Sequence, residues 1–346
     1  GVSSAASDVY KRQNSGDVLT SAGAGSAPTW QTPTFGNFGS KVLLCVEGGA
    51  YATLQAAVDA SADNDIILVG PKSAVSVGGA PGSWGAVDFT ASAGKRLSVI
   101  GLGAKSDTQV KVDSVTFAPT SGANILLNTI YLRNLFISGS YTSSPGVSFG
   151  GTAPARLRMQ ECYVYNTGNG NAVVSQNSNA TSSLYLDNCT VQAGVASTST
   201  LINHVSGYTI LKNGCIVDTG LKAIRCVAGL VEVFDSLLET NVAATPVVDV
   251  QGGVVTLAYC RVINSSSTGV GAYIATAYNP LSPTPSFFGV GHTSFVVGGS
   301  APAATAYAVQ GVAGSLFTYA GAVFASSAKV KTATSTALTT TPTAVP

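Results

Sequence analysis

The sequence is short of charge. Asp, Glu, Lys and Arg make up 10% of its 346 residues, where a soluble domain ordinarily has about 25%. The 17 basic residues almost balance the 16 acidic ones. The chain therefore lacks the basic surplus with which proteins bind the phosphates of nucleic acid, and we expect no nucleic acid among its partners.

The sequence also has no long apolar run. Its mean hydropathy is +0.33, yet no stretch reaches the roughly 18 consecutive apolar residues that a membrane-spanning helix needs. We therefore expect no insertion into a membrane. An apolar, weakly charged chain in water has to cover much of its surface by regular stacking or by association with further chains.

Metal-binding patterns are missing as well. The chain has two histidines and six cysteines, and neither a CxxC pair nor a Cys/His cluster occurs among them. We expect no metal and no cofactor. The chain is instead rich in Gly, Ser, Thr, Ala and Val, which favour turns and strands over helices.

Seven segments share one eight-residue pattern, with apolar first, third and eighth positions, turn-like fourth and fifth positions, and a small or apolar sixth position. Such alternation predicts short strands with one apolar face. A repeat of 20 to 27 residues without helices is typical of a parallel β-helix. The segment 210–217 fits only with a bulge at Asn213-Gly214. The segments are 110–117, 130–137, 157–164, 184–191, 210–217, 231–238 and 255–262.

The sixth position of this pattern predicts a stack of side chains inside the β-helix. Small, adaptable side chains suit such a column, in which neighbours lie one strand spacing, about 4.8 Å, apart. We expect its cysteines to be free buried thiols, and a disulfide between neighbours is the alternative. The predicted column is Val115, Leu135, Cys162, Cys189, Cys215, Ser236 and Cys260.

The start of the repeat carries a resemblance to a known family. Residues 51–60, YATLQAAVDA, predict a short amphipathic helix with Leu54, Ala57 and Val58 on one side. This stretch, 65-DIILVGP-71 and 97-LSVIGLG-103 resemble the opening of pectin-lyase-like β-helices, over about residues 45–300. The resemblance implies an all-β fold, a right-handed parallel β-helix of one chain with an N-terminal capping helix. Because lyases, hydrolases, adhesins and viral spikes share this fold, function stays open.

A second resemblance concerns the segment 16-GDVLTSAGAGSAPTWQ-31. It is similar to a segment that recurs in bacteriophage tail fibres and other virion appendages. The resemblance implies a structural virion component at the particle surface, a homotrimer with other virion proteins as partners. On composition alone, the same stretch is a flexible linker.

Residues 3–13, SSAASDVYKRQ, differ from the rest of the chain. They resemble an in-frame translation of a transposase-type sequencing adapter, which implies a metagenomic gene whose native start lies upstream of Asn14. A signal peptide or a basic arm is the competing interpretation, but the apolar region of a signal peptide is missing.

These features predict four regions along the chain. We expect an adapter-derived segment at 1–13 and a linker or remnant of a virion-attachment region at 14–40. The β-helix then occupies 41–300, and a C-terminal cap with an extended tail occupies 301–346.

One pair of carboxylates is a candidate catalytic site if the chain is an enzyme. Three residues beyond the predicted interior column, Asp218 and Glu239 fall on adjacent coils. Two like charges this close raise one pKa, as a general acid requires. The competing interpretation is a pair of solvated carboxylates in turns.

Outward-facing residues Tyr131, Tyr165, Tyr185 and Gln192 are candidate binding residues, because aromatic rings stack on sugars. They suit packing between subunits equally well. We expect a non-catalytic virion component for host-surface adhesion or particle stabilisation, with a host glycan as a further partner. A tailspike depolymerase acting on a host polysaccharide and a bacterial surface adhesin are the alternatives.

Overall fold

The computed structural model divides the chain into two compact units, Gly1–Lys41 and Val42–Pro346. In the first, strands β1 (Val18–Thr20) and β2 (Thr29–Gln31) pair antiparallel, so part of the expected linker is a strand pair. The predicted adapter segment lies outside the described residues. The structure describes residues 18–20, 29–31, 41–73, 82–103, 110–122, 124–194, 200–218, 220–276, 287–297, 307–312, 315, 317–320, 323–324 and 329–332.

The second unit is a right-handed parallel β-helix with three sheets, in which every paired strand runs parallel to its neighbours. Sheet 1 contains β3 (Val42–Cys45), β4 (Ile66–Val69), β6 (Arg96–Gly101), β9 (Thr129–Arg133), β12 (Arg156–Gln160), β15 (Ser183–Asp187), β18 (Tyr208–Lys212), β21 (Leu230–Phe234), β24 (Val254–Ala258), β27 (Phe287–Gly291) and β30 (Phe317–Ala320).

Sheets 2 and 3 follow sheet 1 in each complete coil. Sheet 2 contains β7 (Lys111–Val112), β10 (Phe136–Gly139), β13 (Tyr163–Asn166), β16 (Thr190–Ala193), β19 (Ile216–Asp218), β22 (Leu237–Thr240), β25 (Arg261–Asn264), β28 (Ser294–Val297) and β31 (Val323–Phe324). Sheet 3 contains β5 (Ala86–Asp88), β8 (Ser114–Phe117), β11 (Val147–Phe149), β14 (Val173–Gln176), β17 (Thr200–Ser206), β20 (Lys222–Cys226), β23 (Pro246–Val250), β26 (Val270–Ile274), β29 (Tyr307–Gly311) and β32 (Lys329–Thr332).

Alternation along each strand decides which side chains enter the interior. In sheet 1, Ile130, Leu157 and Leu184 stack in register on successive coils, and all three are fully buried. Burying one such side chain stabilises the fold by about 1.5–3 kcal/mol. The next residue along each strand points outward. The repeat therefore builds a continuous apolar core and places every second side chain on the outer face of a sheet.

The corner between sheets 1 and 2 is a single residue in the left-handed conformation. These corner residues have φ between 45° and 59° and include Asn134, Glu161, Asn188 and Asp235. Asn suits this geometry because its short amide bonds to nearby backbone, and Asn134 Nδ2 donates to the Gly101 carbonyl at 2.9 Å. One coil has an additional residue here, with Asn213 and Gly214 both at positive φ, where the sequence predicts a bulge.

The interior column follows directly after these corners. Backbone amides on sheet 2 link its members from coil to coil, as when Tyr163 N donates to the Leu135 carbonyl at 2.9 Å and Thr190 N to the Cys162 carbonyl at 2.9 Å. All six cysteines are free and buried. Burial raises the pKa of the Cys215 thiol to about 12, which keeps it protonated. The predicted members found in this column are Leu135, Cys162, Cys189, Cys215, Ser236 and Cys260.

The prediction for Val115 is wrong. Val115 is buried, but it lies on β8 in sheet 3, where it pairs with Val147. Val110 takes the place in the column, because Phe136 N donates to its carbonyl at 2.9 Å. The segment 110–117 matched the pattern because it spans the next corner of the same coil, from β7 to β8, where apolar residues alternate in the same way.

A short helix covers the first coil, as predicted. Helix α1 (Leu54–Asp59) begins at the cap residue Thr53, whose Oγ1 accepts from Ala56 N at 3.1 Å. Leu54, Ala57 and Val58 are buried against the first strands. The helix thereby shields the apolar interior at the open end of the solenoid. No helix within the described residues is both long and apolar enough to cross a membrane.

The solenoid extends past residue 300, where the sequence predicts a cap. Strands β29, β30, β31 and β32 each join one of the three sheets, so the coils continue to Thr332. The predicted tail beyond that residue lies outside the described residues.

Candidate functional site

Polar side chains form one column on the outer face of sheet 3. Strand pairing aligns Asn203, Arg225, Asp249, Tyr273 and Gln310, one from each of five successive coils. Asp249 is fully buried although it points away from the apolar core. Because a buried carboxylate is costly without partners, its contacts decide what this face is for.

Both oxygens of the Asp249 carboxylate are held. Lys222, at the start of the neighbouring strand β20, forms an ion pair with Oδ2, and its side chain is 22% exposed. Gln251 Nε2 donates to Oδ1 at 2.5 Å. These contacts fix the position of a charged group, while Lys222 keeps further N–H donors for a ligand.

A cavity of about 280 Å³ opens beside this pair. Its volume is close to the lower limit of about 300 Å³ for ligand pockets. Polar groups, a tyrosine ring and small apolar surfaces meet there, as in sites that recognise sugars by hydrogen bonds and stacking. Its lining residues are Lys222, Ala244, Pro246, Asp249, Gln251, Val270, Tyr273 and Gln310. We call this cavity, together with Asn203 and Arg225 in the same column, the sheet 3 groove.

Two buried polar atoms of the groove have no hydrogen-bond partner among the described residues. They are Asn203 Oδ1, an acceptor, and Arg225 Nε, a donor, on adjacent strands. An unsatisfied buried polar atom costs about 1–3 kcal/mol. Hydroxyl groups, which donate and accept at once, match such a donor–acceptor pair.

Sheet 2 carries the predicted carboxylate pair. The register aligns Ser138, Tyr165, Gln192 and Asp218, and Glu239 lies one coil further on. Burial, and then the nearby Asp218 carboxylate, raise the pKa of Glu239, while Arg261 opposes this shift. The pair thus lies on one face, with one member biased towards the protonated form.

Aromatic side chains occupy the same face of sheet 2, several coils before the carboxylates. The ring centroids of Phe136 and Tyr163 are 5.1 Å apart, and those of Tyr163 and Tyr165 are 5.9 Å apart. The Tyr163 hydroxyl donates a hydrogen bond to Gln192 Oε1 at 2.5 Å. Tyr165 and Gln192 therefore belong to an aromatic and polar surface that leads towards Asp218.

The other two predicted binding residues lie on sheet 1. Tyr131, Arg158 and Tyr185 are aligned on successive coils of its outer face. The guanidinium groups of Arg156 and Arg158 lie 5.6 and 5.0 Å from the ring centroid of Tyr185. The structure thus separates Tyr131 and Tyr185 from Tyr165 and Gln192 onto different sheets.

The two histidines have structural surroundings. His204 is fully buried on β17, and its Nδ1 lies 2.9 Å from Thr209 Oγ1. Burial lowers the pKa of His204 to about 4. His292 is a corner residue whose ring stacks on Tyr259 at 5.2 Å. Among the described residues, no three His, Cys, Asp or Glu side chains form a group suited to a metal ion.

None of the candidate site residues predicted from the sequence lies in the sheet 3 groove. In that groove Asp249 lies directly beside Arg225 on the next strand. The two are 24 residues apart, within the range of the chain's own repeat. That separation is the only trace of the pair in the sequence, and connections of unequal length between sheets 2 and 3 hide the register that would align the two residues.

Comparisons with known proteins are sparse. No family model and no curated protein matches the chain. Among solved structures, an alginate lyase from Paenibacillus sp. aligns over 84% of this chain and 97% of its own, with 11% identity and a TM-score of 0.38. At these values the alignment carries no argument about activity, and the fold assignment depends on the strand pairing described above.

Proposed function

We propose that the chain binds a polysaccharide in the sheet 3 groove. The observation that carries this proposal is the fully buried Asp249 carboxylate, paired with Lys222 and opening onto a cavity. A buried ion pair contributes little net stability, because desolvation offsets the attraction between the charges. Fixed polar groups in a partly apolar cavity are what recognition of a ligand requires.

The chemistry of the groove favours sugars. Lys222, Gln251 and Gln310 offer donors and acceptors for hydroxyl groups, and the Tyr273 ring offers a surface for the C–H face of a sugar. The polar column runs along the axis of the β-helix at about 4.8 Å per coil. An extended polymer that crosses several coils matches this arrangement better than an isolated small molecule.

This binding belongs, in our proposal, to host-surface adhesion by a virion appendage. The resemblance of residues 16–31 to phage tail-fibre segments supports that context, and the stack of parallel coils supplies a stiff carrier. The homotrimer, the other virion proteins as partners and the location on the particle stay predictions. If the chain is instead a bacterial surface adhesin, the alternative kept above, the same groove binds the polysaccharide in the same way.

An array of immobilised capsular and O-antigen polysaccharides tests the proposed binding, followed by calorimetry with oligosaccharides cut from any polymer that binds. We expect Tyr273→Ala and Gln310→Ala each to weaken binding about tenfold or more, with unchanged circular dichroism. Tyr259→Ala, at an exposed corner that belongs to neither face, is the matched aromatic control and is expected to bind normally. No binding by the intact chain, or equal binding by all three variants, would refute the proposal.

Depolymerisation is the second candidate function, favoured by the raised pKa of Glu239 beside Asp218. Adjacent strands lie about 4.8 Å apart, close to the 5–5.5 Å between the carboxyl groups of retaining glycosidases. Glu239 would protonate the glycosidic oxygen while the Asp218 carboxylate attacks the anomeric carbon. Water then hydrolyses the resulting ester.

The two candidates differ in turnover. Adhesion alone predicts that a bound polysaccharide keeps its size distribution and gains no new reducing ends on incubation with the chain. Shortening of the polymer that Glu239→Gln abolishes, with binding retained, would establish the depolymerase instead.

A further inference from the structure

We infer that the outer face of sheet 1 holds a second saccharide subsite, selective for an anionic substituent such as a carboxylate or sulfate. Arg156, Arg158 and Tyr185 form its centre. It lies on a different sheet from the groove around Asp249, and it needs neither that groove nor the proposed adhesion to exist.

Two cations share one aromatic ring at this place. Arg156 and Arg158 lie on the same face of β12, and β15 places Tyr185 directly beside Arg158. Their guanidinium groups lie 5.6 and 5.0 Å from its ring centroid. The ring attracts each cation, but it does not neutralise either of them, and like charges this close repel. A bound anion relieves that repulsion.

The carboxylates nearby already have other partners. Asp187 pairs with Lys212 at 3.3 Å and accepts from Asn213 Nδ2 at 2.8 Å. Glu161 pairs with Arg133 at 3.0 Å. Glu232 accepts a hydrogen bond from the Tyr208 hydroxyl.

Within the described residues, neither Arg156 nor Arg158 forms an ion pair. Arg156 Nε donates to Ser183 Oγ at 3.4 Å. The terminal N–H groups of both guanidinium groups are therefore available for a bidentate contact with a ligand carboxylate or sulfate.

A small cavity next to Arg158 sets the size of the group that binds. Its volume is about 100 Å³, well below the roughly 300 Å³ of pockets for whole ligands. It therefore suits a single charged substituent, while the sugar ring itself lies outside against the tyrosines. The lining residues are Tyr131, Arg158, Met159, Gln160, Tyr185, Asp187 and Lys212.

The chemistry separates this subsite from the sheet 3 groove. In the cavity of that groove the cation Lys222 is already paired with Asp249, and Arg225 lies in the same column but outside the cavity lining. The cavity lining therefore suits hydroxyl groups. Here Arg156 and Arg158 have no ion-pair partner within the described residues, and they place positive charge in front of an aromatic surface. A polymer that carries both neutral sugars and uronic acids offers a group for each.

Calorimetry at two salt concentrations tests the subsite, with oligogalacturonate, dextran sulfate and neutral dextran of matched length as probes. We expect the intact chain to bind at least one of the two anionic probes. Arg156→Gln and Arg158→Gln should each weaken that binding about tenfold, and Arg158→Lys by less. Higher salt should weaken the binding further.

Two controls keep the outcome decisive. Lys111→Gln removes one positive charge from sheet 2 and should leave the binding of the anionic probe intact. Arg156→Gln and Arg158→Gln should leave any binding of neutral dextran unchanged. An equal loss in Lys111→Gln would reduce the subsite to general charge attraction and overturn the inference. So would the absence of binding to either anionic probe, or unchanged binding by both arginine variants.

Discussion

Sheets 1 and 3 both present charged and aromatic side chains on their outer faces, but they differ in burial. On sheet 3 the Asp249 carboxylate is 0% exposed and its partner Lys222 is 22% exposed. On sheet 1 the ion pair of Asp187 with Lys212 is 26% and 40% exposed. The same residue types therefore have different energetic consequences on the two faces.

Burial decides how much each pair matters. An exposed ion pair contributes about 0–1 kcal/mol, because water and salt screen it. Removing one partner of a buried pair costs about 3–5 kcal/mol, since an uncompensated charge remains in a low dielectric. On sheet 3 the stability of the fold thus depends on a charged residue keeping its partner, whereas on sheet 1 water already solvates the charged pair.

The largest expected effect is on sheet 3. Lys222→Met leaves the buried Asp249 without its cation, and we expect the free energy of unfolding to fall by about 3–5 kcal/mol. Urea unfolding measures this loss. The matched change on sheet 1, Lys212→Met, should cost less than about 1 kcal/mol.

A double variant shows whether charge is the cause. Lys222→Met combined with Asp249→Leu removes both charges and should recover most of the lost stability. Similar losses for Lys222→Met and Lys212→Met would contradict the difference between the two faces.

The interior was predictable from sequence for a physical reason. An apolar residue at every second position, as at Leu157 and Met159, is sufficient to define which face is buried. The corner residues Asn134 and Asn188 mark where each sheet 1 strand ends. Since these features recur from coil to coil, the interior column could be aligned from Leu135 onwards without any structure, whereas Val115 was assigned to it wrongly because the same alternation crosses the next corner.

The sheet 3 groove could not be predicted in this way because the path from sheet 2 to sheet 3 varies in length. Between β16 and β17 the chain uses residues 194–199, but between β19 and β20 only residues 219–221. An alignment anchored on the interior column loses its register across these connections. The burial of Asp249 also depends on its surroundings in three dimensions, which residue type does not reveal.

The inner face of sheet 3 predicts the next effect, a dependence of stability on pH. Burial lowers the pKa of His204 to about 4, from 6.5 in an unfolded chain. As the pH falls, the unfolded chain therefore binds the proton first. Above pH 6.5, His204 causes no loss of stability. Between pH 6.5 and 4 the free energy of unfolding falls by about 3 kcal/mol, and below pH 4 His204 lowers it no further.

Urea unfolding at a series of pH values measures this loss. His204→Gln should remove most of the slope between pH 6.5 and 4. His292→Gln, at an exposed corner, should leave the slope unchanged. An equally steep slope in His204→Gln would show that other groups cause the acid sensitivity.

The smallest expected effect is on sheet 1, and its sign is opposite to that on sheet 3. Glu161 has a φ of 54°. This left-handed conformation costs a residue with a long side chain more free energy than it costs Asn. Asn occupies the corresponding corners at positions 134 and 188. Glu161 also forms an ion pair with Arg133, where the two side chains are 34% and 46% exposed. Glu161→Asn loses that pair but relieves the backbone, so we expect a net gain of about 0.5 kcal/mol.

Arg133→Gln removes the same ion pair and leaves the backbone of Glu161 as it is, so it should lose stability slightly, by less than about 1 kcal/mol. Thermal unfolding of the two variants side by side measures the difference. If Glu161→Asn lost several kcal/mol, the exposed pair would be as important as the buried one, and the difference between sheets 1 and 3 would not depend on burial. A small gain would show that the β-helix tolerates the loss of an ion pair from sheet 1. Removing the cation of the buried ion pair on sheet 3 destabilises the same β-helix.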